Sequence, residues 1–100
     1  MNPIFNDYLK KRIYMKLIKQ NGEKYQCVVA SEEMSELQKE LSKFIRGKGN
    51  RQNIIEEIAD VEIMLEQLRI IFRLNEDEIQ LAKNGKLHRL RKKINGGRYE

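Results

Sequence analysis

The chain has 100 residues, a length that fits one domain over 1–100 and leaves no room for two independent cores. One Pro, six Gly and a single Cys exclude collagen-like or low-complexity chains, an internal disulfide framework and a Cys-rich zinc site. The net charge of +5 is unevenly spread, because residues 31–66 hold nine acids against five bases while Lys83 to Arg98 holds seven bases and no acid.

In chain order, the spacing predicts four helices. The first runs from about Asn6 to Lys19, with Leu9, Ile13 and Leu17 on one line, and Asn21-Gly22 stops it. Pro3 stands before it. The second runs from about Lys24 to Ile45 on the stripe Cys27, Ala30, Met34, Leu37, Leu41, Phe44. The polar, glycine-containing run Arg46-Gly47-Lys48-Gly49-Asn50 breaks that stripe and reads as a loop. The third helix runs from about Gln52 to Arg73 on Ile54, Ile58, Val61, Leu65, Leu68, Phe72. Asn75 with Glu78 marks a fourth start, reaching toward Ile94, with a break or bend expected at Asn84-Gly85 and an end at Gly96-Gly97. Strand alternation is nowhere convincing.

The two long helices would each span roughly 33 Å at the helical rise, and the short loop between them predicts an antiparallel hairpin. The fold class is therefore all-α: a helical hairpin with flanking helices forming a four-helix bundle. Ile63, Ile70 and Ile71 lie outside the main stripe of the third helix. This surplus predicts a second buried face and an oligomer, which would complete the bundle. No apolar run approaches the roughly 18 residues of a membrane span. The Lys-rich start also lacks the apolar core of a secretory signal. A soluble, cytoplasmic protein is the expectation.

The chemistry lies in the acids. The second helix carries Glu32-Glu33-Met34-Ser35-Glu36 and the third carries Glu56-Glu57-Ile58-Ala59-Asp60. At about 100° per residue, Glu57 falls inside the Ile54–Val61–Leu68 stripe and Asp60 on its shoulder, while Glu33 and Glu40 border the stripe of the second helix. Antiparallel pairing would then bring Glu33 and Glu36 close to Glu57 and Asp60. Carboxylates so placed need compensation. Hard divalent ions, Mg²⁺ or Mn²⁺, supply it through oxygen coordination completed by water and phosphate.

The string Glu-Glu-x-x-Glu over 32–36, a 20-residue gap, and Glu-x-x-Asp over 57–60 resembles the signature of the MazG-like nucleoside triphosphate pyrophosphohydrolases, of the all-α NTP pyrophosphatases. The likeness extends over about residues 25–72, with a looser echo in Lys86-Leu87-His88-Arg89-Leu90. It implies a Mg²⁺-dependent enzyme that cleaves an NTP or dNTP to the monophosphate and pyrophosphate, serving to clean the nucleotide pool. It implies Glu33, Glu36, Glu57 and Asp60 as metal ligands. Glu32 fills the first motif position but lies away from the stripe on the wheel, so its catalytic part would be behind the metal ligands, as a base for water, or toward another subunit. A homodimer or homotetramer is also implied. In such an enzyme, cations beside the site would stabilise the leaving pyrophosphate. Lys86 and Arg89, one turn apart on the last helix, are the first candidates; Lys48 and Arg51 in the glycine loop are the second. The competing reading is a nonenzymatic helical protein that binds nucleic acid through the basic C-terminal segment. The acidic centre opposes it, because like charges repel phosphate.

Overall fold

The computed structural model describes residues 4–96; Pro3, Gly97 and Arg98 lie outside them. The chain is all-α, with α1 over Asp7–Asn21, α2 over Glu23–Ile45, α3 over Arg51–Ile71 and α4 over Glu76–Ile94. No strand occurs among the described residues.

Local chemistry sets these boundaries. Asparagine precedes three of the helices, and in each case its side-chain oxygen accepts a backbone N–H of the first turn: Asn6 from Leu9, Asn50 from Asn53 and Asn75 from Glu78, each at 2.8 Å. These bonds satisfy donors that a helix start leaves without partners. Glu78 returns the favour to the Asn75 N–H at 3.0 Å, closing a capping box. At the end of α2, Gly47 turns left-handed (φ 78°), so its N–H reaches the Phe44 carbonyl at 2.9 Å and that of Lys48 reaches Lys43 at 2.8 Å. This is a Schellman stop, where glycine escapes the Cβ penalty. The expected break at Asn84-Gly85 does not occur. A helical glycine costs only about 1 kcal/mol relative to alanine, and α4 runs through it. Arg51, expected in the loop, opens α3.

α2 and α3 pack as the expected hairpin, with α1 against both. The seam between them is rotated from the expected stripe. On α2 the buried residues are Gln26, Ala30 and Glu40; on α3 they are Met64, Gln67 and Ile71. Gln26 donates from Nε2 to Gln67 Oε1 at 2.8 Å, and Asn21 donates to Gln26 Oε1 at 2.9 Å. Satisfied amides therefore replace hydrocarbon at one end of the core. Ala30, at 2% exposure, lets the helices approach closely beside them. Met34, Leu41, Phe44, Ile58, Leu65 and Phe72, expected inside, are exposed. Ile58, Leu65 and Phe72 lie about 100–145° around α3 from its seam and Met34 and Leu41 about 60–80° around α2, and because the helices run antiparallel these turn to the same side of the hairpin, whereas Phe44, about five turns from Gln26, shares the seam's own line at the end of α2. Of the surplus residues Ile63, Ile70 and Ile71, Ile71 is buried within the chain and Ile63 is 44% exposed, and the uncovered apolar surface also takes in Ile58, Leu65 and Phe72 of the main stripe. A wheel shows that a stripe is apolar, but not which neighbour covers it.

α1 lies across α3, on a different side of that helix from the apolar stripe. Buried Tyr14 donates its hydroxyl to Glu66, and Lys10 Nζ stands 3.6 Å from the same carboxylate. Burial, with the Glu66 bond and charge, pushes the Tyr14 pKa up to about 12. A groove of about 430 Å³ runs between α1 and α3, floored by Ile13, Leu17 and Ile63. α4 packs on none of the other three helices among the described residues. No helix described is long and apolar enough to cross a membrane.

Candidate metal centre

The Gln26–Gln67 rung fixes the register of the hairpin. Seven residues further along α2 and seven back along α3, about two turns on each, the facing pair is Glu33 and Asp60. The sequence thus carries amides at one level of the seam and acids at the next.

At that level Glu33, Glu57 and Asp60 each offer a carboxylate oxygen within 4.8 Å of the other two. Glu33 and Glu57 are half-buried, whereas Asp60 is exposed at the rim. Glu57 Oε2 is buried and has no hydrogen-bond partner. A buried acceptor without a donor is costly, so the site holds capacity that the protein itself does not use.

The electrostatics agree. Burial raises the Glu33 pKa, reinforced by the Asp60 charge, a hydrogen bond to Asp60, and the charges of Glu57 and Glu36. Burial likewise raises that of Glu57, followed by the charges of Asp60, Glu36, Glu40 and Glu56. Without a cation the cluster relieves its repulsion by taking up protons. A divalent ion relieves it by coordination, and an all-carboxylate donor set matches Mg²⁺ or Mn²⁺ rather than zinc. The residues present therefore fit such an ion.

The expected quartet is seen as a trio with a neighbour. Glu36 is exposed and contributes no oxygen to the set of three, although its charge reaches Glu33 and Glu57. Glu32 is exposed, on the side of α2 away from the seam by the helical period. Lys48 lies in the loop and Arg51 at the first turn of α3, both exposed. Lys86 and Arg89 sit on exposed turns of α4, and no packing brings that helix to the cluster of its own chain.

Glu40 takes a larger part than sequence reasoning gave it. It is 7% exposed, its Oε2 has no hydrogen-bond partner, and Lys43 Nζ reaches its Oε1 at 3.4 Å. The signal was available: 33, 36 and 40 continue one another at spacings of three and four, so the acid line of α2 extends past the motif.

No protein-family model, curated protein or solved structure matches this chain. The centre therefore rests on the chain's own geometry and on the motif that its acids compose.

Proposed function

We propose that the protein is a Mg²⁺-dependent nucleoside triphosphate pyrophosphohydrolase, cleaving an NTP or dNTP to the nucleoside monophosphate and pyrophosphate. The observation that carries this reading is the convergence of Glu33, Glu57 and Asp60 from two antiparallel helices around a buried carboxylate oxygen that has no donor. The family-like motif spacing supports it.

Glu33, Glu57 and Asp60 would hold the cation, with Glu36 extending the acidic surface toward substrate. A bound Mg²⁺ supplies charge neutralisation for the polyphosphate oxygens and a lowered pKa for water. The chain's own contribution is positional. α2 and α3 hold the carboxylates at fixed separation, so their geometry is set before substrate arrives. Half-burial of Glu33 and Glu57 strengthens their pull on a cation relative to free carboxylates in water. Water attacks one of the two phosphorus atoms of the α–β anhydride, the bond from that phosphorus to the bridging oxygen breaks, and the nucleoside monophosphate and pyrophosphate separate, the proton of water passing to solvent or a carboxylate. Glu32, exposed and turned away from the seam, would act on the cluster through intervening water or from a second copy of the chain. Lys48 and Arg51, at the loop end of the hairpin, precede Glu57 in the sequence and would be the candidate cations for the leaving pyrophosphate.

A panel of NTPs and dNTPs with Mg²⁺, scored separately for pyrophosphate and orthophosphate, tests the assignment. Pyrophosphate release by the wild type and its abolition in a folded Glu57→Gln variant are expected. Orthophosphate as the sole product would exclude the bond proposed, and full turnover by the variant would exclude the site.

A further inference from the structure

We infer that α4 is an exchanged arm: in a two-fold dimer, the α4 helix of each copy lies on the apolar face of the other copy's α2–α3 hairpin. The inference starts from two surfaces of one chain that lack a partner. α4 buries no residue, and Leu87, Leu90 and Ile94, at three-and-four spacing, are 58%, 53% and 83% exposed. On the hairpin, Met34, Leu41, Ile58 and Leu65 are 40%, 46%, 42% and 42% exposed.

The elbow explains why the two do not meet within a chain. Arg73 adopts a left-handed backbone (φ 54°), with its N–H on the Ile70 carbonyl at 3.1 Å and that of Leu74 on Arg69 at 2.9 Å. The Asn75 capping box follows at once, and Arg69 pairs with Glu76 across the turn. These bonds set the exit direction of α4 and hold it away from its own hairpin. A non-glycine residue pays for φ above zero, so this conformation is retained against its steric preference.

Size and charge point to a second copy. The radius of gyration is 17.1 Å, where a compact chain of this length has about 13 Å. The chain exposes 8628 Å², where a compact chain of 11.9 kDa exposes about 6,000 Å². The excess is about 2,600 Å² per copy, or about 5,200 Å² for a pair, at the upper end of the total that obligate homodimers bury. After Glu78, α4 carries bases and no acid, whereas residues 31–66 are net acidic. Two α4 helices would repel one another, while α4 and a hairpin attract. Because each copy offers both surfaces, one two-fold axis satisfies both and closes the assembly.

The test is mass and connectivity in the full-length protein. Sedimentation equilibrium of the wild type is expected to give twice 11.9 kDa. Leu90→Asp on the arm and Leu65→Asp on the face should each give monomers with unchanged helical circular dichroism. In a Cys27→Ser background, Ile58→Cys chains mixed with Leu90→Cys chains should join through a thiol-specific cross-linker. A chain carrying both cysteines should likewise join to a second chain rather than to itself. A wild type that stays monomeric at all concentrations would overturn the inference. So would a Leu90→Asp dimer, which would mean that the hairpins pair directly, or a cross-link closing within one chain, which would mean that α4 folds back. None of these readouts depends on enzymatic turnover.

Discussion

Glu57→Gln tests the metal centre without reference to any substrate. The carboxylate lies within 4.8 Å of Glu33 and Asp60, and one of its oxygens is buried without a donor. In the wild type, Mg²⁺ or Mn²⁺ at a hundredfold excess over its dissociation constant adds about 2.7 kcal/mol to stability if it binds only the folded state. For a domain of this size that is a rise of about 10–20 °C in Tm. The pH dependence has a definite sign. Glu33 and Glu57 have folded pKa values raised above 4.5, so the cation-free native state holds more protons than the unfolded chain just above that value. Its stability therefore falls as pH rises through the raised pKa values. The cation competes with those protons, so the metal-induced rise in Tm is largest where the carboxylates are ionised and shrinks as pH falls through their raised pKa values. Glu57→Gln removes one of three ligands and one repelling charge. The metal-induced rise should collapse, and the cation-free variant should lose less stability on going from mild acid to neutral. Differential scanning calorimetry with and without cation, at both pH values, reads all four quantities. An unchanged metal response in the variant would refute the centre.

Glu36→Gln should weaken the cation response in the same assay, whereas Glu32→Gln, away from the seam, should leave it within error while lowering turnover. Gln67→Ala should cost about 3 kcal/mol in urea unfolding, because it opens a cavity and strands the buried Gln26 amide. Tyr14→Phe should cost about 1.5 kcal/mol near neutral pH by removing the bond to Glu66. The Tyr14 pKa is raised from 10.0 to about 12, so the wild-type contribution is complete below about pH 10 and is lost as pH rises through the folded value. The Phe variant should lack that alkaline decline in a pH series of unfolding midpoints. Gly47→Ala should destabilise by about 1 kcal/mol in chemical unfolding, because its φ of 78° carries a Cβ penalty.

The helices were legible because their signals are local. Asn6 and Asn75 mark starts, Gly22 and Gly47 mark stops, and apolar spacing fills the intervals; the third start reads from the sequence as a box of Asn53 with Glu56, whereas Asn50 is the cap and Asn53 supplies the N–H that it accepts. The hairpin followed from the short loop between two long helices. Glu33, Glu57 and Asp60 were legible because antiparallel pairing of two acid-bearing faces leaves few ways to keep them apart. The orientation of each helix about its own axis was not legible. The expected α2 stripe holds at Ala30, which is buried, but Met34, Leu41 and Phe44 are exposed and the polar Gln26 and Glu40 are buried in their stead. Two amides that satisfy one another, next to an alanine that admits close approach, make a better local seam than the wheel suggests. Glu40 was passed over because a motif of fixed length ends at Glu36, although the α2 acid line continues one turn further.

The Gln26–Gln67 rung has one more consequence. It joins the hairpin at the end remote from the loop with groups that neither gain nor lose a proton over the ordinary range. Toward the Gly47 turn the same seam holds acids that repel one another, a repulsion that protons relieve. Fraying should therefore begin at the tip bearing that turn and travel toward the glutamines, so that the tip answers to the surrounding medium while the base keeps its shape.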